Sequence, residues 1–312
     1  MNNTLDFVYA GQRYTIALDH AGAPNTLAQL QEHLPVRIDL HCAKIAGRHI
    51  FWHAPFIAEL ERGQDVLSVP PGTLLYWPER QFLELTYGPL QEEAAQITVL
   101  GRLTGPIDWL IDLGEELRRE QGSRIFWAEL EYANGDMPVE APLEPTCGDA
   151  RLAALYAARV AVWASEPDSV KELLDRRGIL QPYGPLAMAE GEFRKLQELL
   201  WRYLSQHASG FTQSNIATAS AFLVDAFRSR IVGLCGMHAC ADILDQSTAL
   251  LCERPDLVEP TLKELVLYAG RMAGWLDLHI PWNQLNSIMV QTRDSNEPAS
   301  VVTLPKNGGV QP

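Results

Sequence analysis

No Gly-x-Gly-x-x-Gly follows a strand-like run in this chain, and no Walker-type loop is present, so neither of the common phosphate cradles at a helix N-terminus is there. His-Glu-x-x-His, Cys-x-x-Cys and Gly-x-Ser-x-Gly are also missing, which removes the easily read zinc, redox and serine-hydrolase classes. The five cysteines, Cys42, Cys147, Cys235, Cys240 and Cys252, are odd in number and fit no zinc spacing, as suits a reducing compartment. Basic residues are scarce: 25 against 39 acidic ones give a net charge of −14, which repels a phosphate backbone or an anionic leaflet. No nucleic-acid or membrane partner is therefore expected, and any anionic substrate has to be held by local Arg or Lys. The first residues lack both basic charge and an apolar run, and nothing later reaches the length of a membrane span, so a cytoplasmic location is expected. Nothing in the composition decides between a monomer and a homo-oligomer.

What is present divides into two periods. With 312 residues, 47% hydrophobic and 21% charged, the chain has material for two ordinary domains. The first half reads as strands. Phe7 to Tyr9 and Tyr14 to Leu18 flank a turn, and Leu27 to Leu34 form a helix after Pro24. Val36, Ile38, Leu40 and Cys42 then alternate with Arg37, Asp39, His41 and Ala43, giving one core and one polar face. Ala46-Gly47 makes a hairpin turn that sets Ile50 and Trp52 opposite His49, Phe51 and His53. After Glu59 to Asp65, a solvated loop, Pro70-Pro71-Gly72 introduces three runs bounded by Gly or Pro: Thr73 to Trp77, Phe82 to Tyr87 and Gln96 to Arg102. Tyr76 and Trp77 are placed at a strand end near a barrel mouth. A helix over Ile107 to Gln121 and a strand over Arg124 to Tyr132 complete this half.

Beyond a Pro-, Gly- and acid-rich stretch the helical period takes over. Leu152, Leu155, Tyr156, Val160 and Trp163 share a face, as do Phe193, Leu196, Leu200, Tyr203 and Leu204. Ser165-Glu166-Pro167 and Pro182 to Pro185 interrupt the bundle. Ile216 to Phe227, apolar nearly all round, is expected to be the central helix, with Asp225 paired to Arg228. Pro260 opens a last helix, with Leu262, Leu265, Ala269, Met272 and Leu276 inward. The expected organisation is a closed β-barrel with two helices over 1–135, a linker over 136–148, an all-helical bundle over 149–284 and a flexible tail over 285–312. Cys235, His238 and Asp242 could share a helical stripe, but mixed soft and hard ligands with nearby glycines favour packing cysteines over a metal site.

The order of elements over the first 135 residues, with Ala23-Pro24-Asn25-Thr26 before the first helix and Gly101 to Gly105 before the second, resembles the cyclophilin-like barrel families. Fused to a helical C-terminal domain, and carrying Trp52-His53-Ala54-Pro55-Phe56 and Leu75-Tyr76-Trp77-Pro78, the chain is similar to the cucumopine synthases, a family of opine-forming enzymes. That resemblance implies a Pictet–Spengler condensation of L-histidine with 2-oxoglutarate: an imine forms with loss of water, an imidazole carbon closes the ring, and a proton leaves that carbon. It requires no redox cofactor and no metal. The peptidyl-prolyl isomerase branch is a weaker match, because the stretch from His41 to His53 lacks the arginine and downstream Phe-x-x-x-Gln of its proline pocket. A proline-peptide module, or a ligand-binding barrel without catalysis, stays as the alternative.

The chemistry asks for cations on carboxylates, an acid and a base. Glu84, inside the apolar run Phe82-Leu83-Glu84-Leu85, is the candidate base, since desolvation raises a carboxyl pKa; a Glu on a half-exposed strand face is the plain alternative. His53 is a candidate acid or substrate contact, or else a structural histidine. Tyr76 offers a phenol and Trp77 a stacking surface, unless both only pack. Lys44 and Arg80 are the candidate carboxylate holders, although surface charges would look the same.

Overall fold

A computed structural model of the chain describes residues 3–45, 47–91, 94–132, 148–175, 183–205 and 210–295. Nine strands occupy the first half: β1 (Thr4–Tyr9), β2 (Gln12–Leu18), β3 (Val36–Cys42), β4 (Gly47–His53), β5 (Gln64–Asp65), β6 (Thr73–Trp77), β7 (Phe82–Leu90), β8 (Gln96–Leu103) and β9 (Phe126–Tyr132). All pairings are antiparallel, in the order β2-β1-β9-β3-β4-β7-β6-β8, and β2 pairs with β8 to close an eight-stranded barrel with β5 appended. The expected opening hairpin is present with a tighter turn, Phe7 opposite Tyr14 and Tyr9 opposite Gln12 across Ala10-Gly11. Helices α1 (Pro24–Glu32) and α2 (Asp108–Glu120) send Leu27, Leu30, Leu110, Leu113 and Leu117 into the barrel core beside Phe7, Trp52 and Leu85.

The barrel closes where β8 passes β2, and a glycine makes that approach feasible. A Cβ on Gly101 would sit 2.3 Å from the carbonyl oxygen of Ala17. Strands β3 and β4 pair only at His41–Phe51 and Cys42–Ile50, so the start of β3 and the end of β4 part from one another.

The second half is helical: α3 (Ala150–Ala164), α4 (Asp168–Leu174), α5 (Tyr183–Ser205), α6 (Gln213–Arg228), α7 (Ala241–Glu253), α8 (Val258–Leu278) and α9 (Trp282–Ser295). No described helix is long and apolar enough to cross a membrane. The expected linker lies outside the described residues except for Gly148, and so does the tail beyond Ser295.

Three sequence expectations change here. The central helix is α8, buried at every residue from Leu265 to Leu278, not the segment around α6, where Phe222 is 74% exposed. Asp225 faces solvent, and Arg228 pairs with Asp245 at 2.8 Å. A short apolar stripe on a polar helix and an apolar helix with one solvent face give nearly the same pattern, so packing decides which is central. Pro260 does not open the last helix. The chain continues as α9, whose weak period conceals that Trp282 and Leu285 pack on the bundle. The third change concerns β3: its polar face is buried too, Asp39 at 8% and His41 at 0% exposure, because α8 covers that side of the barrel. Cys235, Met237 and Cys240 pack in the bundle core.

Gly101→Ala is expected to destabilise the chain by about 1–3 kcal/mol, because the methyl group meets backbone that cannot step aside. Gly105→Ala, with nothing within 4 Å, serves as the control and should leave the melting temperature unchanged. Equal melting temperatures for the two variants would contradict the closure described.

Candidate active site

Alternation along β4 and β7 sorts their side chains into two sets. Ile50, Trp52, Leu83 and Leu85 fill the barrel, so His49, Phe51, His53, Phe82, Glu84 and Thr86 stand on its outer face. Leu75 and Trp77 of β6 join them. Phe51 stacks on Phe82 with centroids 4.4 Å apart, and Trp77 meets Phe82 edge-on at 6.4 Å. Glu84 lies opposite Phe51 in the register and diagonal to His49, which itself pairs with Thr86. Its carboxylate is fully buried, with Oε2 3.6 Å from His49 Nε2, just beyond direct hydrogen-bond distance. Burial pushes the His49 imidazole down to about 4, so the ring is neutral at pH 7.

Helix α5 forms the opposite wall. Glu190, Arg194, Glu198 and Arg202 recur every fourth residue, so they line one face of the helix while Phe193, Leu196 and Leu200 line the other. Between this polar stripe and the barrel lies a cavity of about 350 Å³, bounded by Lys44, His49, Trp77, Arg80, Glu84 and Glu198 among others. Each cation on it has a carboxylate partner. Lys44 Nζ contacts Asp277 and, at 3.3 Å, Glu190, with its ammonium 4.4 Å from the centre of the Trp282 ring. Arg80 pairs with Glu198 at 3.1 Å and lies 4.8 Å over Trp77; Arg202 pairs with Glu79 at 2.6 Å. Arg80 uses one contact of a guanidinium that offers five donors, and with its side chain 35% exposed it is the rim cation able to take an additional carboxylate.

Four of the six residues singled out in the sequence, Lys44, Trp77, Arg80 and Glu84, therefore converge on one cavity. Tyr76 and His53 do not. Tyr76 points into the barrel, fully buried against Phe56, and its hydroxyl accepts the Ala58 N–H at 3.1 Å; burial raises the phenol above its ordinary range. A period-2 strand cannot present both Tyr76 and Trp77 to the same side, so the barrel-mouth placement holds only for Trp77. His53 is sealed under α8, close enough that a Cβ on Gly274 would lie 2.8 Å from its Cε1, and Arg194 Nη1 is 3.4 Å from its Nε2. Burial, then the neighbouring His41 and Arg194, keep this imidazole well below its usual range, and His53 does not line the Glu84 cavity.

The sequence pointed to neither His49 nor Asp277. His49 shares a strand face with Phe51 and His53, a visible signal, but its approach to Glu84 depends on the β4–β7 register. Asp277 is fully buried. It takes His41 Nδ1 at 2.7 Å, the Trp282 Nε1–H at 2.9 Å and the Gln121 amide at 3.2 Å, besides Lys44. Burial alone would raise its carboxyl, but Lys44, His41 and Arg194 outweigh that and hold it below the ordinary carboxylate range. In the chain's linear order Asp277 was simply a polar residue in an apolar helix.

Fold and site together define a closed antiparallel barrel roofed by a helical bundle, with a buried Glu–His pair in the crevice between them. Among solved structures, that of McbB in complex with tryptophan matches with a TM-score of 0.75 at 18% identity, covering 91% of this chain and 99% of that one, a likeness of fold. A solution structure of the hypothetical protein AF2241 from Archaeoglobus fulgidus covers 42% of this chain and 95% of its own at 18% identity, with a TM-score of 0.33, too low to carry an argument. No protein-family model and no curated protein matches the sequence.

The histidines set the acid limit of stability. His49 titrates near 6.5 when unfolded and about 4 when folded, so the unfolded chain binds the extra proton between those values and stability falls as pH is lowered through them. His41 and His53 act in the same direction, while the depressed Asp277 gives way only at lower pH. We expect urea midpoints to be flat above pH 6.5 and to fall towards pH 4, with His49→Gln removing about 3 kcal/mol of that dependence. A variant with the parent's pH slope would show that His49 is not the group responsible.

Proposed function

We propose that the chain catalyses a Pictet–Spengler condensation at the Glu84 cavity, joining an amino acid that carries a nucleophilic aromatic ring to a keto acid. L-Histidine and 2-oxoglutarate are the substrates implied by the resemblance to the cucumopine synthases. The observation that carries the proposal is the convergence of Glu84, Lys44, Arg80 and Trp77 on one cavity, with His49 beside the carboxylate. Its volume falls within the range of small-molecule sites. The McbB structure with tryptophan supports it further, since a free aromatic amino acid occupies a protein of this fold.

In this scheme the α-amine attacks the keto carbon, the carbinolamine loses water, and the ring carbon attacks the iminium carbon. The proton on that ring carbon passes to Glu84, restoring aromaticity, and the neutral His49 ring is placed to relay it onward. Trp77 supplies a stacking face, and Arg80 on the rim takes a keto-acid carboxylate. Lys44, held by Asp277 and Glu190, contributes positive potential at the inner end. A binding module for proline peptides would need an open groove on this face of the barrel, and α5 and α8 cover it.

A tryptophan-using reaction is the second form of the proposal, favoured by the McbB complex. Incubating the protein with 2-oxoglutarate and either L-histidine or L-tryptophan, without nicotinamide, should give a product mass equal to the reactants less one water with one of the two amino acids. No such product with either would refute the assignment. Glu84→Gln should lower turnover about 10²–10⁴-fold while 2-oxoglutarate affinity and melting temperature stay near the parent values. Arg80→Met should instead weaken 2-oxoglutarate binding about tenfold or more. Normal turnover in Glu84→Gln would remove Glu84 as the base and leave His49 to fill that role.

A further inference from the structure

A second cavity, larger than the one at Glu84, lies on another side of the barrel. Where β3 and β4 part, a cavity of about 500 Å³ opens through the barrel wall, and α3 covers it from outside. Leu30, Leu83 and Leu130 of the barrel core form its floor, and Tyr156, Val160 and Trp163 of α3 its roof. None of its lining residues borders the Glu84 cavity. His53 and Phe82, in edge contact at 4.9 Å, stand between the two.

The walls are apolar, yet two buried donors on them have no hydrogen-bond partner: Arg271 Nε and Trp52 Nε1. Arg271 is 7% exposed, donates from Nη2 to Asp39 at 2.6 Å, and lies 4.0 Å from the centre of the Trp275 ring and 5.4 Å from that of Trp163. Leaving such a donor dry and unpaired is unfavourable, and an acceptor brought in by a ligand would recover that cost. The charges also run against the chain as a whole. Arg37, Arg159 and Arg271 line this cavity against Asp39 alone, in a molecule of net charge −14; Arg159 is further paired with Glu264 at 2.8 Å.

We infer that this crevice is a second small-molecule site, which takes a flat aromatic carboxylate with its ring between the barrel floor and α3 and its carboxylate towards Arg271. Shape selects the ring, since the roof presents Tyr156 and Trp163. Charge selects the carboxylate, since Arg271 keeps an unused donor in a water-poor setting where a charge-assisted hydrogen bond is strongest. The site is separate from the condensation proposed above and does not depend on it.

Indole-3-acetate, with indole-3-acetamide as its neutral counterpart, is the probe, titrated calorimetrically into the full chain. Val160→Trp and Ala164→Trp fill the roof from positions exposed on α3, so either is tolerated by the fold, and a melting curve identifies the one to use. Saturable one-to-one binding is expected, weakened about tenfold or more by the roof variant and by the loss of charge in the amide, and unchanged in Glu84→Gln. No saturable binding overturns the inference, as does equal affinity for acid and amide. Binding that survives the roof variant overturns it as well, whatever Glu84→Gln does. Because turnover plays no part in the readout, failure here and failure of the condensation are distinguishable.

Discussion

The burial of one carboxylate holds the two halves of this molecule in register. Asp277, near the end of the central helix, has no exposed surface, and a lone charge there would be costly. It is accommodated because four parts of the chain bring it a donor: His41 from the barrel strand, Lys44 from the following turn, Gln121 from the end of α2 and Trp282 from the start of α9. Gln121 also accepts the backbone N–H of Cys42, tying the same node to β3. Such a cluster adds little net stability over a well-packed apolar contact, but it is specific: a shifted docking of bundle on barrel would leave buried charges unpaired. With Arg271–Asp39 further along α8, it fixes where the helix lies on the barrel.

That docking turns an outer barrel face into an interior. A small barrel is filled by its own side chains, here Trp52, Tyr76, Leu85 and their neighbours, so little room for a substrate remains inside. His49, Glu84 and Trp77 stand outside, on the faces of β4, β7 and β6, and share a cavity where α5 lies against them. The polar stripe of α5 then pairs the cations of the cavity, Lys44 with Glu190 and Arg80 with Glu198. The cavity is thus close to balanced in charge before any substrate enters. For the condensation proposed, this suits a zwitterionic amino acid and makes keto-acid affinity rest on spare donors more than on free charge.

The cavity beneath α3 follows from one irregularity. If β3 and β4 paired along their whole length, the barrel wall would be continuous beneath α3. Because they pair over two residue positions, the wall opens, and the residues that would have been strand partners, Asp39 and His53, turn to α8 instead. The same parting places His53 between the cavities rather than in the one holding Glu84.

The sequence by itself determined the strands of the barrel, its two helices and the helical second half, because alternation, the 3.6-residue period and turn residues are properties of neighbouring positions; Glu84, Trp77, Lys44 and Arg80 were candidates in it, and the structure brings them to one cavity. It did not determine which helix is central. Asp225 and Asp277 both sit in apolar helices, and only packing shows that one meets water and the other a buried cluster. Nor could it say which of Tyr76 and Trp77 faces the bundle, or find His49 beside Glu84, because strand register and the face covered by a distant helix are set by contacts between residues far apart in the chain. Local energetics chose the elements. Tertiary structure brought the candidate site together, since the free energy of a buried charge depends on donors that the linear order keeps far apart, such as His41, 236 residues from Asp277.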